Sequence, residues 1–219
     1  MGKMGEFAKK IVANITEPVK IELCRGSMLG CPKAVVDPKD VEVEILDLME
    51  NEGLVEELKE HLPGENVFQP TLRISISGCV NGCSRPHIKD IGIEGVVDLK
   101  YHTDNCDQCG ACFNACQENA IKMTDDGISI DHDLCLSCGE CANACSKEAL
   151  TISKPGIRVM IGGRLGRHPH LAEPLAKYLS NHEGIKRIRQ IFREVIRKHR
   201  SGQVATKTID NYGKQLAAD

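Results

Sequence analysis

The sequence predicts an α+β fold in which a small inserted unit interrupts a larger parent domain, and three observations carry that reading. Twelve cysteines fall into three sets of four. Two of the sets, Cys106, Cys109, Cys112, Cys116 and Cys135, Cys138, Cys141, Cys145, repeat one C-x2-C-x2-C-x3-C run 29 residues apart. Strand-like alternation stands on both sides of the repeat, and helical periodicity occupies stretches before and after it.

Asp37-Pro38 has the chemistry of an N-cap and a first helical residue. Val41, Ile45 and Leu48 follow at helical spacing, which predicts a helix over about 38–50. Gly53 interrupts it, and Leu54, Val55, Leu58 and Leu62 predict a second short helix ending at Pro63-Gly64. Thr71 to Ser77 alternates and predicts a strand that delivers the chain into Cys79. Ile88 to Leu99 reads as a pair of short strands broken by Gly92 and Gly95.

The repeat then occupies about 103–152. It pairs Asn114-Ala115-Cys116 with Asn143-Ala144-Cys145, and predicts two half-units of paired strands and a helix related by a pseudo-twofold axis. Ile157 to Ile161 predicts a strand running into Gly162-Gly163-Arg164-Leu165-Gly166-Arg167-His168-Pro169. Helices are expected over Leu171 to about His182 and over Ile185 to His199, the latter with Ile188, Phe192, Val195 and Ile196 as its apolar stripe. The parent domain is thus 1–102 with 153–219, and the insert is 103–152.

Composition narrows the class. Aromatics are 3% of the chain and Trp is absent, so aliphatic side chains and the cysteine sites carry the packing. No apolar run approaches the roughly 20 residues of a bilayer span, and the N-terminal residues have no apolar signal core, so a soluble, cytoplasmic protein is expected. A net charge of −3 predicts no general affinity for nucleic acid. The charge is uneven: residues 37–60 carry ten acids against two lysines, and 185–200 carry seven cations against Glu194. That basic face reads as solvated surface or as a dock for an acidic partner.

The C-x2-C-x2-C-x3-C run is the bacterial ferredoxin spacing, in which the fourth cysteine of each run ligates the other run's cluster. The insert is therefore expected to hold two [4Fe-4S] clusters, one on Cys106, Cys109, Cys112 and Cys145, the other on Cys135, Cys138, Cys141 and Cys116. Gly110 and Gly139 supply the backbone freedom for the wrap. Gln117 and Ser146 stand where proline is usual, which predicts altered loop geometry or potential with both clusters kept. Neither disulfides nor zinc suit tandem runs of this spacing.

The remaining set, Cys24, Cys31, Cys79 and Cys83, draws on two loops, with 47 residues between Cys31 and Cys79. Cys24 to Ala34, Ser77-Gly78-Cys79-Val80-Asn81-Gly82-Cys83, Arg85-Pro86-His87 and the Gly162–Arg167 stretch together resemble the siroheme and [4Fe-4S] half of the sulfite and nitrite reductase family. In layout the chain is similar to small anaerobic and dissimilatory-type sulfite reductase subunits, which carry a two-cluster ferredoxin insert at this place. The resemblance covers about 20–200.

It implies a third [4Fe-4S] cluster on Cys24, Cys31, Cys79 and Cys83, with Cys83 bridging to siroheme iron and Asn81 against the macrocycle. Arg85, Lys89, Arg164, Arg167 and His168 are the expected partners of the siroheme carboxylates, because burying such charge demands cations. Arg25 and Arg73 are the candidate catalytic residues, binding the oxyanion. The partners implied are an electron donor and sulfite or nitrite as small-molecule substrate.

Departures from the family pattern keep alternatives open. Six residues separate Cys24 from Cys31 where most relatives have five, and Val80 replaces the usual proline. Relatives also have a ferredoxin-like half before the first cysteine, whereas 23 residues precede Cys24 here. Either a partner subunit or a homo-oligomer completes the siroheme pocket, or the pocket is absent. The two leading readings are a siroheme enzyme reducing sulfite or nitrite, and a siroheme-free three-cluster electron carrier serving a partner enzyme. A regulatory iron–sulfur sensor is the third.

Overall fold

The computed structural model describes residues 18–60 and 72–200. A five-stranded sheet organises the parent, in the order β1 (Val19–Leu23), β2 (Leu72–Ser77), β3 (Ile91–Tyr101), β6 (Leu150–Ile161) and β7 (Glu173–Pro174). The first three strands run parallel, and β6 is antiparallel to both β3 and β7. Leu72, Ile74, Ile76, Ile91, Ile93, Ile157, Val159 and Ile161 form one buried apolar face by alternation. Helices α2 (Pro38–Asn51), α3 (Leu54–Glu60) and α6 (Asn181–Arg200) cover that face.

The intervening positions Ser75, Ser77, Glu94 and Arg158 are also buried, but polar. They lie under the loop that carries Cys79 and Cys83. Ser75 Oγ donates to the Ser84 carbonyl at 2.8 Å, Ser77 Oγ and Ser84 Oγ share a 2.7 Å hydrogen bond, and Ser84 Oγ donates to the Ile76 carbonyl at 2.9 Å. The sheet is thus an apolar layer on one side and a hydrogen-bonded platform for the cysteine loop on the other.

Helix α2 begins as expected: Asp37 accepts from the Lys39 amide at 2.8 Å, and Pro38 is its first residue. Two expectations are corrected. Ile91–Tyr101 is one continuous strand, because Gly92 and Gly95 mark close approach of backbone and not strand ends. A Cβ on Gly92 would stand 2.3 Å from the Pro86 carbonyl oxygen, and one on Gly95 2.2 Å from that of Gly78.

Residues 171–180 are extended instead of helical. Leu175 N donates to the Val159 carbonyl at 2.9 Å, Leu179 and Ile157 exchange amide hydrogen bonds at 2.9 Å each, and Pro174 sits opposite Met160 in the short edge strand. The helix that follows starts at Asn181 with a capping box: Ser180 N donates to Glu183 Oε2 at 3.0 Å and Glu183 N to Ser180 Oγ at 3.3 Å. The ends expected at Leu62 and Pro63-Gly64 lie outside the described residues, as does Thr71.

The basic face of α6 meets the acidic run before it. Arg193 forks onto Glu52 at 2.7 and 3.0 Å, Arg189 reaches Glu52 at 3.4 Å, and Arg200 reaches Glu57 at 2.7 Å. Among the described residues, no helix is long and apolar enough to cross a membrane.

β3 and β6 run past the edge of the apolar core as a long antiparallel pair, with a register irregularity at Asp98/Leu99. Their far ends carry the segment between them, which contains α4 (Ala111–Ala115), α5 (Glu140–Asn143) and a separate hairpin of β4 (Ile121–Thr124) and β5 (Gly127–Ile130). This segment has its own small core of Ile121, Leu150, Cys112 and Cys141.

Candidate functional site

The parallel pairing of β1 with β2 brings the first cysteine set together. Leu23 lies beside Ile76, so Cys24 and Cys79 leave neighbouring strand ends on the same edge. Cys24 N donates to the Ile76 carbonyl at 2.9 Å, and Gly78 N approaches Cys24 Sγ at 3.3 Å. The short helix α1 (Gly26–Leu29) turns the chain back so that Cys31 N bonds the Gly26 carbonyl at 3.1 Å. Val35 N then donates to the Gly78 carbonyl at 2.8 Å, tying the two cysteine loops to each other.

Cys24, Cys31, Cys79 and Cys83 line one cavity of about 690 Å³ with Arg25, Asn81 and Arg85. Burial pushes the Cys79 thiol above its ordinary value, against an amide contact from Asn81, and the sulfurs of Cys31, Cys83 and Cys24 add to the rise. A buried thiol beside three other cysteine sulfurs is the chemistry of a metal–sulfur site. Cys83 is exposed at the mouth, together with Asn81 and Arg85. Among the described residues, no three cysteine, histidine or carboxylate side chains converge on a single-ion site. Cys24, Cys31, Cys79 and Cys83 border a shared volume instead.

In the segment between β3 and β6, each cavity draws cysteines from both runs. Cys106, Cys109, Cys112 and Cys145 line one small cavity of about 20 Å³. Cys116, Cys135, Cys138 and Cys141 line another of about 350 Å³. The two halves share backbone geometry: Gln108 and Ser137 have φ of +57° and +59°, and Gly110 and Gly139 have φ of +75° and +84°. Backbone amides point at sulfur in both, from Ala120 to Cys116 at 3.3 Å and from Leu150 to Cys145 at 3.4 Å. Burial, followed by the charges of Cys138 and Cys135, pushes the Cys141 thiol up to about 12.

The larger insert cavity also has Cys79, Val80 and Asn81 in its wall. The Cys79–Asn81 strip therefore has the first cysteine set on one side and the second run on the other. Cations hold the insert against the parent here. Lys33 Nζ reaches Glu140 Oε1 at 2.6 Å, Arg158 Nη2 donates to the Leu136 carbonyl at 2.9 Å, and Lys177 Nζ donates to His132 O at 2.7 Å and Asp133 Oδ1 at 2.9 Å. Val97 N adds a backbone bond to Ser137 O at 2.9 Å.

Other expected residues are placed less uniformly. Arg25, Asn81 and Arg85 reach the first cavity. Arg73, expected there as an oxyanion ligand, is instead held by Asp90, with Nε at 3.0 Å and Nη2 at 3.3 Å, and does not line the cavity. The Asp90 carboxylate raises the Arg73 guanidinium above its ordinary value. Lys89 is buried and paired with Glu22 at 2.6 Å, behind the cavity wall and not in it. Arg164, Arg167 and His168 occupy a hairpin closed by reciprocal Arg164–His170 backbone bonds of 2.9 and 3.0 Å. That hairpin backs onto the His87–Lys89 turn, where a Cβ on Gly163 would meet the His87 carbonyl oxygen at 2.5 Å. None of the three lines the cavity.

The sequence reading missed the platform beneath. Glu94 is buried, with Arg158 Nη1 3.4 Å from Oε2 and His87 Nε2 3.1 Å from Oε1 without hydrogen-bond alignment. Burial raises the Glu94 carboxyl to about 7, opposed by Arg158, and burial together with the Arg158 charge lowers His87. An acid in the middle of a strand pattern was the available signal. Lys33, two residues past Cys31, and Lys177 had none.

Comparison with known proteins gives the family. The family model for the nitrite and sulphite reductase 4Fe-4S domain matches residues 18–213. The coenzyme F420-dependent sulfite reductase of Methanocaldococcus jannaschii is 34% identical over 122 residues, covering 56% of this chain and 19% of that protein. One subunit of the anaerobic sulfite reductase of Salmonella typhimurium is 40% identical over 50 residues, 23% of this chain and 15% of that protein. The chain thus spans less than a fifth of the length of these curated relatives. The crystal structure of dissimilatory sulfite reductase I shares the fold, with a TM-score of 0.50 at 15% identity over 87% of this chain and 50% of that one. With cysteine loops, sheet and family match in agreement, the chain belongs to the nitrite and sulphite reductase 4Fe-4S domain family.

Proposed function

We propose that this chain carries three [4Fe-4S] clusters and siroheme and works as the redox subunit of a sulfite reductase, with nitrite as the second candidate substrate. Cys106, Cys109, Cys112 and Cys145 would hold one cluster and Cys116, Cys135, Cys138 and Cys141 a second, which would supply electrons toward the Cys79 side for the six-electron reduction of sulfite to sulfide. The observation that carries this reading is the shared wall: Cys79, Val80 and Asn81 border both the second insert cavity and the first cysteine set. Electron transfer needs short separation and a rigid interface, and the buried Arg158 bond to the Leu136 carbonyl with the Val97–Ser137 backbone bond favour the latter.

The residues present suit the cofactors unequally. Four cysteines on two tied loops suit a cluster, and an exposed Cys83 at the mouth suits a thiolate shared with a haem iron. Siroheme joined there supplies a metal at which an oxyanion binds and takes electrons. Arg25 and Arg85, which line the cavity, would neutralise that anion or the macrocycle carboxylates, and Asn81 would offer an amide to the same space. Arg164, Arg167 and His168 form a second group of hydrogen-bond donors on the adjoining hairpin, the candidates for carboxylates that lie outside the cavity. A partner subunit or second copy completing the site agrees with the relative named as a subunit. A donor protein and a reducing, cytoplasmic setting belong to the same proposal.

A siroheme-free electron carrier is the second reading. It is favoured by one observation: among the described residues, Arg25 and Arg85 are the cations lining the first cavity, while Arg73 and Lys89 are already paired. Acid-acetone extraction of protein made anaerobically in a siroheme-producing host separates the two. Stoichiometric siroheme, with sulfite-dependent oxidation of reduced methyl viologen in the presence of any partner subunit, supports the reductase. Full iron with no extractable tetrapyrrole overturns it in favour of the carrier.

A further inference from the structure

Lys33 borders one of the two sites that the proposed electron path joins and lies two residues from Cys31 of the other. It follows the Cys31 loop of the parent, lines the cavity of Cys116, Cys135, Cys138 and Cys141, and bonds Glu140 at the start of α5 at 2.6 Å. Lys33 is thus two residues from Cys31 of the first set and in the cavity wall beside Cys138 of the other. Its side chain is 50% exposed and that of Glu140 31%. A half-exposed ion pair contributes little to stability. Its location next to two metal–sulfur sites gives it another use.

We infer that Lys33 is a positioning residue for electron transfer, a fixed cation that compensates the negative charge an electron brings to either cluster. The inference rests on the proposed clusters at these two cavities. In the step concerned, one electron leaves the Cys116, Cys135, Cys138, Cys141 cluster, which is oxidised by one. The Cys24, Cys31, Cys79, Cys83 cluster is reduced by one. The electron comes originally from a one-electron donor protein; no bond forms or breaks, and Lys33 keeps its proton. Glu140 holds the ammonium in place and offsets part of its field at Cys138, so the two side chains act on the clusters with opposite sign. A cation in the wall of one site and two residues from a cysteine of the other shifts both potentials in one direction, which a donor-specific or purely structural residue does not do.

The test is a redox titration of the whole, anaerobically purified chain, followed by electron paramagnetic resonance, with iron and sulfide assayed on each sample. K33Q lowers the midpoint potentials of both clusters. Each becomes about threefold harder to reduce at a fixed donor potential, or about 30 mV at about 59 mV per tenfold for a one-electron couple. K33R keeps the parental values, and E140Q raises them. Full iron in K33Q with both potentials unchanged overturns the inference, as does an equal shift in K33R. Should K33Q not assemble its clusters, E140Q decides alone, and unchanged potentials there overturn it. Parental protein without iron at the insert instead overturns the cluster reading on which the inference stands.

Discussion

Replacing Gly95 by alanine tests how the fold ties the two cysteine loops of the first site. A Cβ at this position would lie 2.2 Å from the Gly78 carbonyl oxygen, 2.7 Å from its carbon and 2.9 Å from Val35 Cγ2. Two of these are backbone atoms, which cannot rotate away. The Gly78 carbonyl accepts from Val35 N at 2.8 Å and from Val36 N at 3.3 Å, and Gly78 immediately precedes Cys79. Relief of the clash therefore moves the residue next to a proposed ligand and lengthens the bonds joining its loop to the Cys31 loop. Overpacking costs about 1–3 kcal/mol and a weakened backbone bond about 1 kcal/mol. A combined loss of about 3 kcal/mol corresponds to a Tm lower by roughly 6–12 °C for a chain of this size. The assay is anaerobic thermal unfolding with iron per chain measured in parallel. G95A is expected to lose both Tm and the iron of the first site, while the insert keeps its own. Parental Tm and parental iron in G95A would show that the Gly78 carbonyl does not tie the loops in this way.

Further substitutions address the platform and the helix. R158M removes the cation that faces buried Glu94 and the bond to the Leu136 carbonyl; breaking a buried pair costs about 3–5 kcal/mol in denaturant titration. Glu94 also sets a pH dependence. Its folded value, raised from 4.5 to about 7, means the folded chain holds that proton more tightly than the unfolded chain, so stability falls as pH rises through this window. A rise of that size is worth about 3 kcal/mol, and E94Q is expected to flatten the stability profile between these limits. S180A removes one half of the capping box on α6 and lowers stability by about 1 kcal/mol, whereas a loss indistinguishable from zero in denaturant titration would deny the cap a role.

What was legible in the sequence was chemistry fixed by local spacing. The C-x2-C runs announce their wraps because a few residues decide which sulfurs converge, and the Cys79 to Cys83 string did the same for the first site. Asp37-Pro38 marked a helix start for a similarly local reason. The misread segments are those decided at long range. Gly92 and Gly95 look like strand breaks until Pro86 and Gly78 are seen pressed against them. Residues 171–180 have helical periodicity, but the open edge of β6 and Pro174 win them for the sheet. Arg73 and Lys89 had the right charge for an anion site, yet Asp90 and Glu22 already bind them. The basic stripe of α6 offered a partner dock or a solvated face, and the fold instead gave part of it Glu52 and Glu57.

The three proposed clusters can be counted as iron and acid-labile sulfide per chain in anaerobically purified protein, beyond any siroheme iron. About twelve of each are expected, four for every tetranuclear cluster. About four of each, with the insert cysteines open to alkylation, would leave the insert without its clusters and the proposed electron path without its first two stations.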